Sequence, residues 1–220
     1  MKLRKWTAAA MAAVIMVAVS STVMAATVPG AVYSDQQAKG TNKPAVQIQM
    51  ELEKAGVKDV QPDYWAAGSI TVLLESGLIA PDANGNVKPD APMADADGIA
   101  VLAKVLGVAA KTDTPAEATE KARQAGLVSG EPIPDGGLSR LETARLLGRA
   151  LGVEVRPVFV PVGFPFSDAF DGLSPEDRGI LKALYDMGVF KGYPDRTFRP
   201  DNVLSVAELA ILVDRILGAH

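Results

Sequence analysis

Cysteine is absent from the 220 residues, and the single histidine is the last residue, His220. The first absence excludes disulfides, thiolate metal sites and a lipid-modified cysteine. The second removes the usual general base, so a Ser-His-Asp or Cys-His apparatus has no parts. No serine is framed by glycines as a nucleophile elbow requires. Acid pairs such as Asp168 and Asp171 are present, but carboxylates in turns are common, and we expect neither an enzyme nor a bound cofactor or metal. Cations are outnumbered, 22 Lys and Arg against 26 Asp and Glu, which excludes the broad basic face that nucleic-acid binding needs. Beyond residue 26 no run is long and apolar enough to cross a bilayer.

Residues 1–26 read differently from the rest. Lys2, Arg4 and Lys5 precede an apolar run from Ala8 to Val19, and Val23 and Ala25 suit a cut after Ala25 or Ala26. This is the pattern of a secretory signal peptide. Its removal takes away three cations, so the net charge of −4 becomes −7. An anionic ligand would then have to be held by local cations against the overall field.

Internal repetition organises the remainder. The stretch Gly77-Leu-Ile-Ala-Pro-Asp-Ala-Asn-Gly-Asn-Val-Lys-Pro-Asp90 aligns without a gap on Gly188-Val-Phe-Lys-Gly-Tyr-Pro-Asp-Arg-Thr-Phe-Arg-Pro-Asp201. The register continues through Met93 with Leu204, Asp97 with Glu208, Lys104 with Arg215 and Gly107 with Gly218. A middle copy with a shortened turn places Leu138-Ser-Arg-Leu-Glu142 on Leu204-Ser-Val-Ala-Glu208, and Arg149 on Arg215.

Each unit reads as helix, loop, helix. In the last, Ser174 is a cap, Pro175 suits the first turn, and Glu176 and Asp177 complement the positive helix end. Ile180, Leu181, Leu184 and Met187 form one apolar stripe, and Gly188 ends the helix in a left-handed conformation. Ser205 and Glu208 form a capping box inside a Leu204–Leu209 staple. Leu209, Leu212, Val213, Ile216 and Leu217 form a second stripe. One such hairpin cannot bury both stripes, whereas three packed around an axis can. Residues 45–55 read as a short amphipathic helix with Ile48, Leu52 and Ala55 on one side. The proline-rich stretch 153–165 reads as an extended linker, and Asp82-Ala-Asn-Gly-Asn86 as an Asn-Gly turn rather than a calcium loop.

On Phe166-Ser-Asp168, the Gly192-Tyr-Pro-Asp-Arg-Thr-Phe-Arg-Pro200 loop, Leu204-Ser-Val-Ala-Glu208 and their counterparts Val57-Lys-Asp59, Tyr64-Trp65-Ala66 and Gly77, the chain resembles S-layer homology repeats. The resemblance implies an all-α fold, three helix-loop-helix repeats packed as a pseudo-threefold bundle. The divisions are a signal peptide at 1–26, an N-terminal segment at 27–56, repeats at 57–108, 109–152 and 166–220, and the linker at 153–165. It also implies a secreted protein of the cell wall, S-layer or envelope that docks non-covalently on a secondary cell-wall polysaccharide or a peptidoglycan-linked glycan, often through a pyruvylated sugar. In that family the grooves lie between repeats and the arginine of a Thr-Arg-Ala-Glu motif is a main anion contact.

That arginine survives once, as Arg140; Val206 and Asp95 occupy the matching positions. A helix N-terminus offers unpaired N–H groups and a positive dipole end, and a guanidinium there adds a bidentate grip on a carboxylate. The expectation is one competent acidic-sugar site built around Arg140. Ser139 stands beside it as cap and candidate contact, and Lys191 and Arg199 are supplementary cations. Trp65, with Tyr64, is read either as core or as a sugar-stacking platform. Arg149, Arg215 and Lys104 sit where cations suit helix C-termini. A second reading stays open: Asp95 and Val206 also suit a scaffold that has lost sugar binding and joins other envelope proteins.

Overall fold

The computed structural model describes residues 43–128 and 137–218. The stretch expected to be a signal peptide, the rest of the segment up to residue 42, residues 129–136 and residues 219–220, His220 included, lie outside the described residues. Among the described residues the regular structure is a short 3-10 helix (Ser167–Phe170) and seven α-helices: α1 (Ala45–Ala55), α2 (Ala67–Glu75), α3 (Asp95–Val105), α4 (Pro115–Gln124), α5 (Arg140–Ala150), α6 (Pro175–Asp186) and α7 (Val206–Gly218). Among the described residues, extended pairing is limited to isolated bridges, Pro92 with Ser205 and Ser139 with Val203.

Local chemistry starts these helices. Thr114 and Ser139 each accept from the N–H three residues on while Glu117 and Glu142 reach back to the cap's own N–H, which satisfies otherwise orphaned donors. Ser174 caps α6 ahead of Pro175, with Asp177 N donating to its Oγ at 3.0 Å. At the start of α7, Ser205 N donates to Glu208 Oε2 at 3.0 Å and Glu208 N to Ser205 Oγ at 3.2 Å. The α1 helix spans the expected residues and buries Ile48 and Leu52.

The helices pair across units rather than within them. The main packings are α2 on α7, α3 on α4 and α5 on α6, with α1 added to α2. Each second helix therefore leans on the first helix of the next unit, and the last closes on the first. Each packing carries a polar tie: Ser69 Oγ to Asp214 Oδ2 at 2.8 Å, Thr119 Oγ1 to Ala96 O at 3.3 Å, and Arg145 Nε to Asp177 Oδ1 at 2.7 Å. Gly148 allows the α5–α6 contact, since a Cβ there would stand 2.9 Å from Ile180 Cγ2.

The axis is marked by a closed cycle of backbone hydrogen bonds. Met93 N donates to Leu204 O at 2.8 Å, Leu204 N to Leu138 O at 3.0 Å, and Leu138 N to Met93 O at 3.4 Å. These three residues occupy matching positions in the sequence alignment, and all three side chains are buried. The cycle gives each chain crossing a hydrogen-bond partner among buried side chains.

Two stripe residues differ from expectation. Met187 and Leu217 are 49% and 39% exposed, because both fall at helix ends, past the last turn that a neighbouring helix covers. The stretch 153–165 is irregular but docked: Val158 N donates to Pro175 O at 2.9 Å, and a Cβ on Gly179 would meet Arg156 O at 2.5 Å.

Candidate ligand site at the unit junctions

Arg140 is placed by the Ser139 cap as the first residue of α5. Its backbone N–H donates to Asn202 O at 2.9 Å and that of Leu141 to Pro200 O at 3.0 Å. Glu142 N is taken by Ser139 Oγ at 3.2 Å and Thr143 N by Ser139 O at 2.9 Å. The donors that a free helix start would turn to an anion are thus committed to the neighbouring loop and the cap.

The guanidinium is committed as well. Arg140 is only 1% exposed. Its Nε donates to Phe198 O at 2.7 Å, and Glu208 Oε1 lies 3.6 Å from one terminal nitrogen. The rings of Phe190, Tyr193 and Phe198 surround its central carbon at 5.4, 4.6 and 4.9 Å. Arg140, expected to hold an acidic sugar, is an internal residue in this conformation. The physical reason is that three rings and a carboxylate from the last unit form a cage that a delocalised, weakly hydrated guanidinium fills well.

Glu208 links this cage to its surroundings. Its Oε1 accepts from the Tyr193 hydroxyl at 2.6 Å, while Oε2 serves the α7 cap. Burial pushes the Tyr193 hydroxyl up to about 12; the Arg140 charge opposes this and the bond to Glu208 adds to it. The tyrosine is thus a permanent donor. Tyr64 of the first unit donates to Asp90 Oδ1 at 2.6 Å. Burial first, and then Asp90, raise its hydroxyl, with Glu208 contributing across the junction.

The other expected contacts have surroundings of their own. Ser139 is half-buried and holds Glu142 Oε2 through its Oγ at 2.6 Å, so its capping role is met. Lys191 is half-buried and follows Phe190, one of the rings around Arg140, in the chain. Trp65 is half-buried against the core, its ring 5.7 Å from that of Tyr64 and tilted to it. Arg199 turns outward. Its guanidinium carbon stands 4.0 Å from the centre of the Tyr193 ring, so Tyr193 lies against both Arg140 and Arg199. Its side chain is 42% exposed; one terminal nitrogen holds Asp195 at 2.9 Å and Nε meets Thr197 Oγ1 at 3.1 Å. Asp195 is held down to about 2 by Thr197 first and by Arg199 next. A guanidinium carries five N–H donors, so these contacts leave donors for a ligand.

Phe190, Tyr193, Phe198 and Glu208 were not read as partners of Arg140 from the sequence. The signal was the aromatic spacing of the last loop, which reads as a hydrophobic plug until the neighbouring helix start is placed on it. Arg149 and Arg215 do act structurally. Arg149 Nε donates to Leu127 O at 2.9 Å, and Arg215 donates to Val189 O at 3.2 Å; each ties a second helix to the end of its own unit's first helix.

Residues 58–93 and 165–210 match the S-layer homology domain family. The chain is 32% identical over 117 residues to a middle cell wall protein of Brevibacillus brevis, covering 50% of this chain and 11% of that protein. It is 31% identical over 125 residues to a surface layer protein of Brevibacillus choshinensis, covering 54% and 11%. It is 25% identical over 156 residues to cell surface glycoprotein 1 of Acetivibrio thermocellus, covering 61% and 7%. The chain thus spans about a tenth of the length of these relatives. Residues 58–93 and 165–210 are thus similar to S-layer homology domains, and the relatives named are proteins of the cell wall and cell surface.

Proposed function

We propose that this chain anchors non-covalently at the cell surface by holding an anionic wall polysaccharide, of the kind a pyruvylated sugar provides, on the face where the 188–204 loop meets the starts of α5 and α7. Arg199 makes the charge-assisted contact, Lys191 adds a second cation, and Ser139 and Trp65 border the sugar. Arg140 acts from within, as the positioning residue that holds Tyr193 and Glu208. The division into three repeats, at 57–108, 109–152 and 166–220, belongs to this reading and is supported by the cyclic pairing of helices. The observation that carries the proposal is that an outward guanidinium, half-exposed and stacked on Tyr193, stands at this junction within a segment that matches the family.

A second reading is favoured by the burial of Arg140 and the committed N–H groups of α5: a scaffold of the envelope that joins other proteins and holds no sugar. The two are separated by calorimetric titration of the purified chain with soluble wall-polysaccharide fragments. The anchoring reading expects saturable binding that weakens about tenfold in Arg199→Ala, the size of one charge-assisted hydrogen bond. Absence of any heat of binding with wild-type protein, at fragment concentrations that saturate other wall-binding domains, overturns it.

A further inference from the structure

The junction at α7 is built on the same frame as the junction at α5 but is not filled. Val206 N donates to Ala91 O at 3.1 Å and Ala207 N to Pro89 O at 2.9 Å. These are the counterparts of Arg140 N to Asn202 O and Leu141 N to Pro200 O. The supporting loops match too. Asp59 accepts from Val87 N and Lys88 N at 3.0 and 2.7 Å; Asp168 accepts from Phe198 N and Arg199 N at 2.7 Å each. Lys88 and Arg199 share left-handed backbones, with φ of 51° and 56°. What differs is the filling. Val206 stands in place of Arg140, and Ile79 and Val87 stand in place of Phe190 and Phe198. A cavity of about 290 Å³ remains, lined among others by Ile79, Val87, Met93, Asp97, Lys104 and Val206.

We propose that this cavity is a socket for the guanidinium of an arginine presented by another protein chain, which would occupy in trans the place that Arg140 occupies in cis at the neighbouring junction. Asp97 stands at the position of Glu208 and supplies the carboxylate. The shared loop conformation sets the Val87 carbonyl where that of Phe198 accepts from Arg140 Nε. The aliphatic walls offer flat apolar surface to a planar, weakly hydrated cation, which favours arginine over the compact and strongly hydrated ammonium of lysine. Lys104, which also lines the cavity, is the sequence counterpart of Arg215 in the unit whose loop already cages Arg140. The net negative charge, −4 for the whole sequence and −7 without residues 1–26, favours a cationic partner at long range.

The test titrates N-acetyl-arginine methylamide, N-acetyl-lysine methylamide and N-acetyl-norleucine methylamide into the chain, following the methyl NMR signals of Ile79, Val87, Met93 and Val206. The expected result is a saturable shift of these methyls with the arginine probe, tighter than with either of the others. Asp97→Asn, an exposed and structurally mild change, weakens it about threefold, as loss of one exposed ion pair should. Val206→Arg fills the socket from within and abolishes the shift, while an unchanged or raised melting temperature shows that the fold is intact. Equal affinity for the norleucine probe, an arginine response unaltered in Asp97→Asn, or no response at saturating probe overturns the proposal. None of these readouts involves wall polysaccharide, so the result is independent of the anchoring reading.

Discussion

Removing the caged arginine should cost this protein a large share of its stability. In Arg140→Ala, the Phe198 carbonyl loses its 2.7 Å donor, three rings lose the cation they surround, and Glu208, 10% exposed, keeps Tyr193 and Ser205 but no nearby charge from α5. Breaking a buried pair by deleting one member costs ~3–5 kcal/mol, because the remaining charge stays buried. A domain of this size holds about 5–15 kcal/mol in all, so urea unfolding followed by far-ultraviolet circular dichroism should show a midpoint lowered by about a fifth or more. Arg140→Met keeps the volume and removes the charge. Paired with Glu208→Gln, it should recover part of the loss, since an apolar replacement of a whole buried pair is often neutral. A loss below about 1 kcal/mol in Arg140→Ala, the level of an exposed ion pair, would refute the view that this residue is internal and return it to the surface as a ligand contact.

Further outcomes follow from the same geometry. Gly192 has φ of 73°, and a Cβ there would lie 2.6 Å from Phe166 Cε1 and 2.8 Å from Thr197 O; Gly192→Ala should cost at least about 2 kcal/mol in thermal unfolding, from the strained backbone and overpacking together. Ser139→Ala removes a capping oxygen and should cost ~1 kcal/mol, with polysaccharide binding little changed if the cap is its main role. Asp177 is held below the usual carboxylate range, chiefly by Arg145 and then by Ser174. A depressed folded-state value means that the stabilisation is present above the ordinary aspartate range and is lost as pH falls through the depressed value. Unfolding of Asp177→Asn should therefore lose the part of the acid dependence seen below about pH 4. The effect should stay under about 1 kcal/mol because Arg145 is 43% exposed.

How far the sequence could be read depended on range. Ser174 with Pro175, Ser205 with Glu208, Gly188 in the left-handed region and the bounds of α1 were all legible, because caps and turns are decided by neighbours three or four residues away. The fate of Arg140 was not. Its partners lie 50 to 68 positions further on, and only the cyclic packing brings them to the start of α5. The same holds for the helix donors. A capped N-terminus looks available in sequence, and only the loop carbonyls of Pro200 and Asn202 show that it is occupied. Alignment had matched Val206 to Arg140, but the cavity beside Val206 depends on Ile79 and Val87 replacing two phenylalanines across the junction.

The anchoring account is tested most directly by co-sedimentation of the purified chain with isolated cell-wall sacculi, comparing wild type with Arg199→Ala on intact and polysaccharide-stripped walls. The account expects wild type to pellet with intact walls alone, and Arg199→Ala, folded to the same melting temperature, to stay largely in solution. Equal pelleting of both proteins, or pelleting that survives stripping, would contradict it.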